Sequence, residues 1–236
     1  MKQLFISDLH LQEVDHPITQ AFLSFLQTTA IDTDQLYILG DFFEYWIGDD
    51  HSNALNQLIS QALSTLKDKG TEIFFMVGNR DFLLGKEYAR QCGMQILPDP
   101  YILPVPQSHI LLSHGDYLCT DDTEYQKVRP VLRSAEWQQD FLAKPLADRI
   151  AFAEQARQQS KENQQDYNLV DLNDTAIKEA LSTHHCQLLI HGHTHQPGLR
   201  EVTNSEFNRL TLSDWDHDVY YIEILDDAQP ALKRLG

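Results

Sequence analysis

Residues 189–197 read LIHGHTHQP, and the pattern in them sets the fold. A short apolar run stops at Gly192, and three histidines, His191, His193 and His195, alternate across the stop. Taken alone, this is a polar loop after a strand as readily as a set of imidazoles meeting on a metal, since neutral imidazole is the commonest metal ligand. The rest of the chain repeats the arrangement. The apolar runs QLFIS, QLYIL, EIFFMV, HILLS and QLLIH are each followed by a polar, chemically capable residue. These residues are Asp8 and His10 in SDLH, Asp41 in GDFFE, Asn79 in GNRD, His114 in SHGD, and His193 and His195 in HGHTH.

Runs of four to six residues rich in branched and aromatic side chains fit buried strands. Between them lie helical patterns. Ile18, Phe22, Phe25 and Leu26 form one; Leu55, Leu58, Ile59, Ala62 and Leu66 form another, with Ser52 as its expected N-cap and Gly70 as its stop. Strands alternating with helices give an α+β, α/β-like sandwich. In such sheets ligands bind beyond the carboxyl ends of the strands, so the five strand ends should converge on one crevice. Asp8 and His10 are two residues apart, as are His193 and His195. In extended backbone each pair would share a face.

The chain has 236 residues, enough for one domain with an insertion. The insertion is expected over about 121–182, where Val128, Val131, Leu132, Phe141, Leu142, Leu146 and Ile150 recur at helical spacing without a strand. The formal net charge of −17 argues against broad electrostatic binding of nucleic acid, which needs lysine and arginine against phosphate. Locally the balance reverses: between Lys127 and Lys161 there are seven basic residues and four acidic ones. A basic, amphipathic helical cap fits an anionic headgroup and acyl chains. Cys92, Cys119 and Cys186 are widely spaced and read as free thiols, in keeping with a reducing cytosol. The opening MKQLFISDLH has too short an apolar run for a signal peptide.

The strand-end set contains carboxylate, imidazole and amide oxygen but no thiolate, which suits manganese, magnesium or iron. Seven donors exceed the needs of one small ion. Two ions about 3.5–4 Å apart, sharing a carboxylate, match the count and serve in-line displacement at phosphorus.

The series Asp-x-His, Gly-Asp, Gly-Asn, His, Gly-His-x-His resembles the calcineurin-like metallophosphoesterases. The longer stretches YILGDFFEYWIGDD, GNRDFLLG and HGDYLCTDD resemble, within them, the UDP-2,3-diacylglucosamine pyrophosphatases of lipid A synthesis. The resemblance spans essentially the whole chain. It implies a β-sandwich flanked by helices with a helical cap. It also implies two Mn2+ ions, a place on the cytoplasmic side of the inner membrane, and cleavage of UDP-2,3-diacylglucosamine to UMP and 2,3-diacylglucosamine 1-phosphate. By position, Asp8, His10, Asp41 and His195 would hold one ion. Bridging Asp41 would join Asn79, His114 and His193 on the second, and a hydroxide between the ions would attack the phosphorus next to uridine. Asn79, Arg80, Asp122, Ser160, Asn163 and His193 match substrate-contacting positions. Beyond Ser160 the sequence departs from the family by lacking its lysine, and Lys161 stands as a substitute.

Many members carry histidine after Gly-Asn, where it protonates a leaving alkoxide. Here the residue is Arg80. A phosphate leaving from an anhydride needs little protonation, because its last ionisation has a pKa of about 6. An arginine fork that holds phosphate oxygens serves it better. The alternative is a soluble metallophosphoesterase acting on nucleotide polyphosphates, which would carry a polar cap. A scaffold that keeps the fold without catalysis would be free to lose ligands, and here all seven are present.

Overall fold

The computed structural model describes the backbone of every residue except 107, 167–169, 217, 227 and 236. It describes the side chains of these residues except 108, 157 and 159–166. In chain order the elements are β1 (Lys2–Ile6), α1 (Pro17–Thr28), β2 (Gln35–Leu39), α2 (Ala54–Asp68), β3 (Glu72–Met76), α3 (Lys86–Cys92), β4 (Met94–Leu97), β5 (Tyr101–Val105) and β6 (Ser108–Ser113). Four helices follow: α4 (Thr123–Leu132), α5 (Ala135–Leu142), α6 (Leu146–Asp166) and α7 (Asp174–Thr183). The chain closes with β7 (Leu188–His191), β8 (Gly198–Glu201), β9 (Asn208–Thr211), β10 (Tyr220–Leu225) and β11 (Ala231–Arg234).

The strands form two sheets, ordered β11-β10-β1-β2-β3-β4 and β5-β6-β7-β9-β8. The central strands β1 to β4 run parallel, as do β6, β7 and β9. Strict alternation of buried side chains sets the layers. Leu4, Ile6, Leu36, Ile38, Ile73 and Phe75 face one cluster with residues of α1 and α2, while Phe5, Tyr37, Leu39 and Met76 face Leu103, Ile110, Leu112 and Ile190 of the other sheet. Phe5, Tyr37 and Phe74 stack across three strands with centroids 4.8 and 4.7 Å apart. On the outer side of the second sheet, Leu111 and Leu189 pack against Ile177 and Leu181 of α7. Each such fully buried side chain contributes about 1.5–3 kcal/mol. The result is the helix-flanked sandwich expected from the alternation, with the strand ends of both sheets meeting at one edge.

The cap of α2 differs from expectation. Asn53, not Ser52, is the N-cap: its backbone is extended and its side-chain oxygen accepts from Asn56 N at 2.8 Å. Ser52 Oγ instead accepts from Gln57 Nε2 at 3.0 Å. The three cysteines are free and buried, and burial pushes the Cys92 and Cys119 thiols up to about 12. No helix among the described residues is long and apolar enough to cross a membrane.

Residues 123–166 form three consecutive helices with Val128, Val131, Leu142, Leu146 and Phe152 exposed. Phe141 is buried between the rings of Trp137 and Phe152, and Trp137 in turn meets Phe82. Among the described residues, four of the basic side chains of this region are engaged within the protein. Arg129 and Arg133 bind Asp116, Arg149 is buried on Asp50 and the Ile47 carbonyl, and Lys127 pairs with Glu124 of its own helix. Arginine forks here tie the helices to the sandwich.

Candidate metal centre

Each side chain of the site follows a parallel strand, and five of the seven sit in left-handed, not extended, backbone. Asp8, His10, Asp41, His193 and His195 all have positive φ, between 48° and 66°. Five of the eight non-glycine residues with positive φ among those described are therefore at this site, where backbone strain commonly marks function. The expectation that Asp8 and His10, and His193 and His195, share a face through extended backbone is thus corrected. The strands end first, at Ile6 and His191, and left-handed residues aim the side chains inward.

Two glycines make the approach possible. A Cβ on Gly78 would collide with the Asp41 carboxylate, and one on Gly192 with that of Asp8. This is why Gly precedes Asn79 and His193.

The donor atoms converge. Asp8, His10 and His195 form one group whose ligand atoms lie within 4.8 Å of each other; Asp8, Asp41 and His114 form a second. Asp41 faces both: Oδ2 is 3.9 Å from His10 Nε2, and Oδ1 is 3.6 Å from His114 Nε2. Asn79 Oδ1 is 2.8 Å from His114 Nε2, and the His193 ring centroid is 5.1 Å from that of His114. All seven expected ligands are brought to one cleft. His191, third histidine of the opening stretch, is not: it is buried on Thr211 Oγ1 and the Gly192 carbonyl, and burial pushes its pKa down to about 3.

The far ring nitrogens are held by partners that the strand-end reading did not assign. His10 Nδ1 lies 3.4 Å from Glu44, His195 Nδ1 3.2 Å from Asp214, and His114 Nδ1 2.9 Å from the Leu39 carbonyl. Such contacts fix the tautomer and turn each Nε2 toward the metal. Asp214 follows the run RLTLS, the same strand-end signal, and was findable on that ground. Asp81, fully buried, accepts from Gly78 N and Phe42 N, both at 2.7 Å, and so joins the loops bearing Asn79 and Asp41. Burial and the Asp41 charge raise its pKa to about 6.

The electrostatics fit cations. Burial would lower His114 and His195, but Asp41 and Asp8 raise the first to about 9, and Asp214 and Asp8 raise the second to about 10. Burial would raise the Asp8 carboxyl, yet the hydrogen bond and charge of His195 hold it well below the carboxylate range. Buried carboxylates thus demand positive charge, which protons supply when metal does not. His114 Nε2 and Asn79 Oδ1, both electron-pair donors to a metal, also need a shared proton or cation at 2.8 Å. The donor set fits two divalent ions of the oxygen- and imidazole-preferring kind.

The other expected residues divide. Arg80 N donates to Asp41 Oδ1 at 2.8 Å, which places Arg80 at the rim. Asp122 caps α4, accepting from Tyr125 N at 3.1 Å. Ser160, Lys161 and Asn163 lie in α6, where their side chains are outside the described residues.

A two-sheet sandwich with carboxylates and imidazoles at adjoining strand ends defines a metallophosphoesterase. Residues 1–197 match the profile of the calcineurin-like phosphoesterases, and the chain belongs to that family. Among relatives, a protein of Tolumonas auensis named UDP-2,3-diacylglucosamine hydrolase is 43% identical over 96% of this chain and 94% of its own. One of the same name from Aromatoleum aromaticum is 44% identical over 100% and 98%. An archaeal phosphodiesterase structure superposes with a TM-score of 0.50 at 13% identity, covering both chains fully, a likeness of fold alone.

Proposed function

We propose that this metal-dependent hydrolase cleaves the pyrophosphate of UDP-2,3-diacylglucosamine, giving UMP and 2,3-diacylglucosamine 1-phosphate for lipid A synthesis. The observation that carries the reading is the relatives' alignment over nearly the whole chain, capping helices included, and not over the metal site alone. When bound, two ions, in our reading Mn2+, supply charge that activates water and neutralises phosphoryl oxygens. Asp8, His10, Asp41 and His195 would hold one; Asp41, Asn79, His114 and His193 would hold the other.

The chain's own groups do the rest. Arg80, anchored through its backbone to Asp41, grips the phosphate between the cleaved bond and the sugar. The leaving phosphate is a weak base and takes no proton from an enzyme acid. The Trp137, Phe141 and Phe152 cluster meets Phe82, two residues after Arg80, so an apolar surface begins next to the proposed phosphate grip. With Val128, Val131 and Leu142 exposed beside it, this surface suits acyl chains and a peripheral position on the cytoplasmic face of the inner membrane. Asp122, at the start of α4, is assigned to the sugar end.

The test compares UDP-2,3-diacylglucosamine with UDP-N-acetylglucosamine and a dinucleoside tetraphosphate. The diacylated compound should have by far the highest kcat/KM, falling steadily as acyl chains shorten, at about 0.8 kcal/mol per buried methylene. Equal or better cleavage of the soluble compounds would replace this reading with a soluble nucleotide pyrophosphatase.

A further inference from the structure

A cavity of about 150 Å³ begins one residue beyond the metal ligand His10, and neither the metals nor the capping helices use it. Its floor is Leu11 and Phe43, which continue β1 and β2 as an isolated parallel bridge. Glu44, which holds His10, donates its backbone N–H to the Leu11 carbonyl at 3.2 Å. The cavity is therefore built on the same two loops that aim His10 and Asp41.

Its walls combine an aromatic face with hydrogen-bonding groups. Tyr45 is half-buried in the wall, and Gln12, Glu13 and His51 also line the cavity. Segment 46–50 separates it from the capping helices: Arg149 of α6 grips the Ile47 carbonyl and Asp50, whereas Trp46 and His51 line the cavity. A substrate with its acyl chains on the helices and its phosphate at the metals has its other end free to reach this side.

We propose that the cavity is the subsite for the pyrimidine base of the nucleotide half, an inference that rests on the functional reading above. The volume accepts a single six-membered ring. Uracil offers an acceptor–donor–acceptor edge. The Gln12 carboxamide NH2 donates to a ring carbonyl of that edge, and the Glu13 carboxylate accepts from the ring N3–H. Tyr45 supplies the stacking face, and base–aromatic stacking is strong enough to matter at the level of tenfold or more in affinity. Cytosine lacks the N3–H, and adenine likewise offers Glu13 no ring N–H at that edge, so both are selected against.

The experiment measures binding of UMP, AMP and ribose 5-phosphate to the manganese-loaded protein by titration calorimetry. It uses wild type, Tyr45→Ala, Tyr45→Phe and Gln12→Ala. Ribose 5-phosphate lacks the base and reports the metal site alone. UMP should bind wild type at least tenfold tighter than ribose 5-phosphate or AMP. Tyr45→Ala should remove most of that advantage, Tyr45→Phe should keep it, and Gln12→Ala should reduce it, while ribose 5-phosphate binds all four alike. An unchanged ratio of UMP to ribose 5-phosphate in Tyr45→Ala and Gln12→Ala overturns the subsite, as does equal weakening of both ligands. Failure of the wild type to cleave the glycolipid overturns the functional reading instead, and is seen independently.

Discussion

The Nε2 atoms of His10 and His195, 185 residues apart in the chain, face each other at 3.5 Å. Each ring is turned by a carboxylate behind it, Glu44 for His10 and Asp214 for His195. Asp8 Oδ1 lies 3.3 Å from His195 Nε2. Such an arrangement sets electron-pair donors against one another and becomes favourable when a cation sits between them.

Glu44→Gln and Asp214→Asn should each weaken manganese binding by about 10–100-fold while leaving the fold intact, since they free the ligand rings without removing a ligand. Titration calorimetry with manganese gives the affinity, and circular dichroism the fold. Unchanged affinity in both variants would show that the rings need no such support.

Metal must displace protons here. His114 and His195, raised to about 9 and about 10 from an ordinary 6.5, stabilise the metal-free fold fully below pH 6.5. That contribution is lost as pH rises through the folded values, because the unfolded chain has already released the same protons. The Tm of metal-free protein should therefore fall between about pH 6.5 and pH 10, beyond any change seen in a His195→Asn variant. Manganese binding should release protons and tighten with pH across the same window. Calorimetry in buffers of different ionisation enthalpy counts the protons released; a count of zero at pH 7 contradicts the assignment.

Asp116 is fully buried and receives Arg129 Nε at 2.7 Å, Tyr125 Oη at 2.5 Å and Arg133 Nη2 at 3.5 Å. Arg133 also donates to the Gly78 carbonyl at 2.9 Å, linking α4 to the loop of Asn79. Asp116→Ala leaves two arginines without their carboxylate and should cost about 3 kcal/mol, the low end for a buried pair because the arginines keep some solvent. Tm should drop by roughly 6–12 °C. A drop of under a degree would mean that α4 is held by other contacts.

Gly192→Ala should fold yet bind manganese poorly, because the added Cβ meets the Asp8 carboxylate. Equilibrium dialysis reads the loss; wild-type binding would contradict the close approach.

The strand-end chemistry was legible because each ligand sits within a few residues of an apolar run, so a local pattern carries it. The helices after Asp122 were legible for the same reason. The left-handed turns at Asp8 and His10 were not, since nothing in Asp-x-His distinguishes extended backbone from a turn. Nor were the pairings of His195 with Asp214 or Arg149 with Asp50, which depend on which loops the two sheets bring together. The same holds for part of the local positive charge of 127–161: Arg129, Arg133 and Arg149 direct their charge to carboxylates of the sandwich and of the 46–50 segment.

The most direct test of the account is to run the reaction on UDP-2,3-diacylglucosamine in heavy-oxygen water and weigh both products. Water attacking the phosphorus next to uridine, with Arg80 holding the other phosphate, puts the label in UMP and none in 2,3-diacylglucosamine 1-phosphate. Label in the sugar phosphate would reverse the substrate in the cleft, and with it the places given to Arg80 and the base subsite. Absence of cleavage by the manganese-loaded protein would contradict the account as a whole.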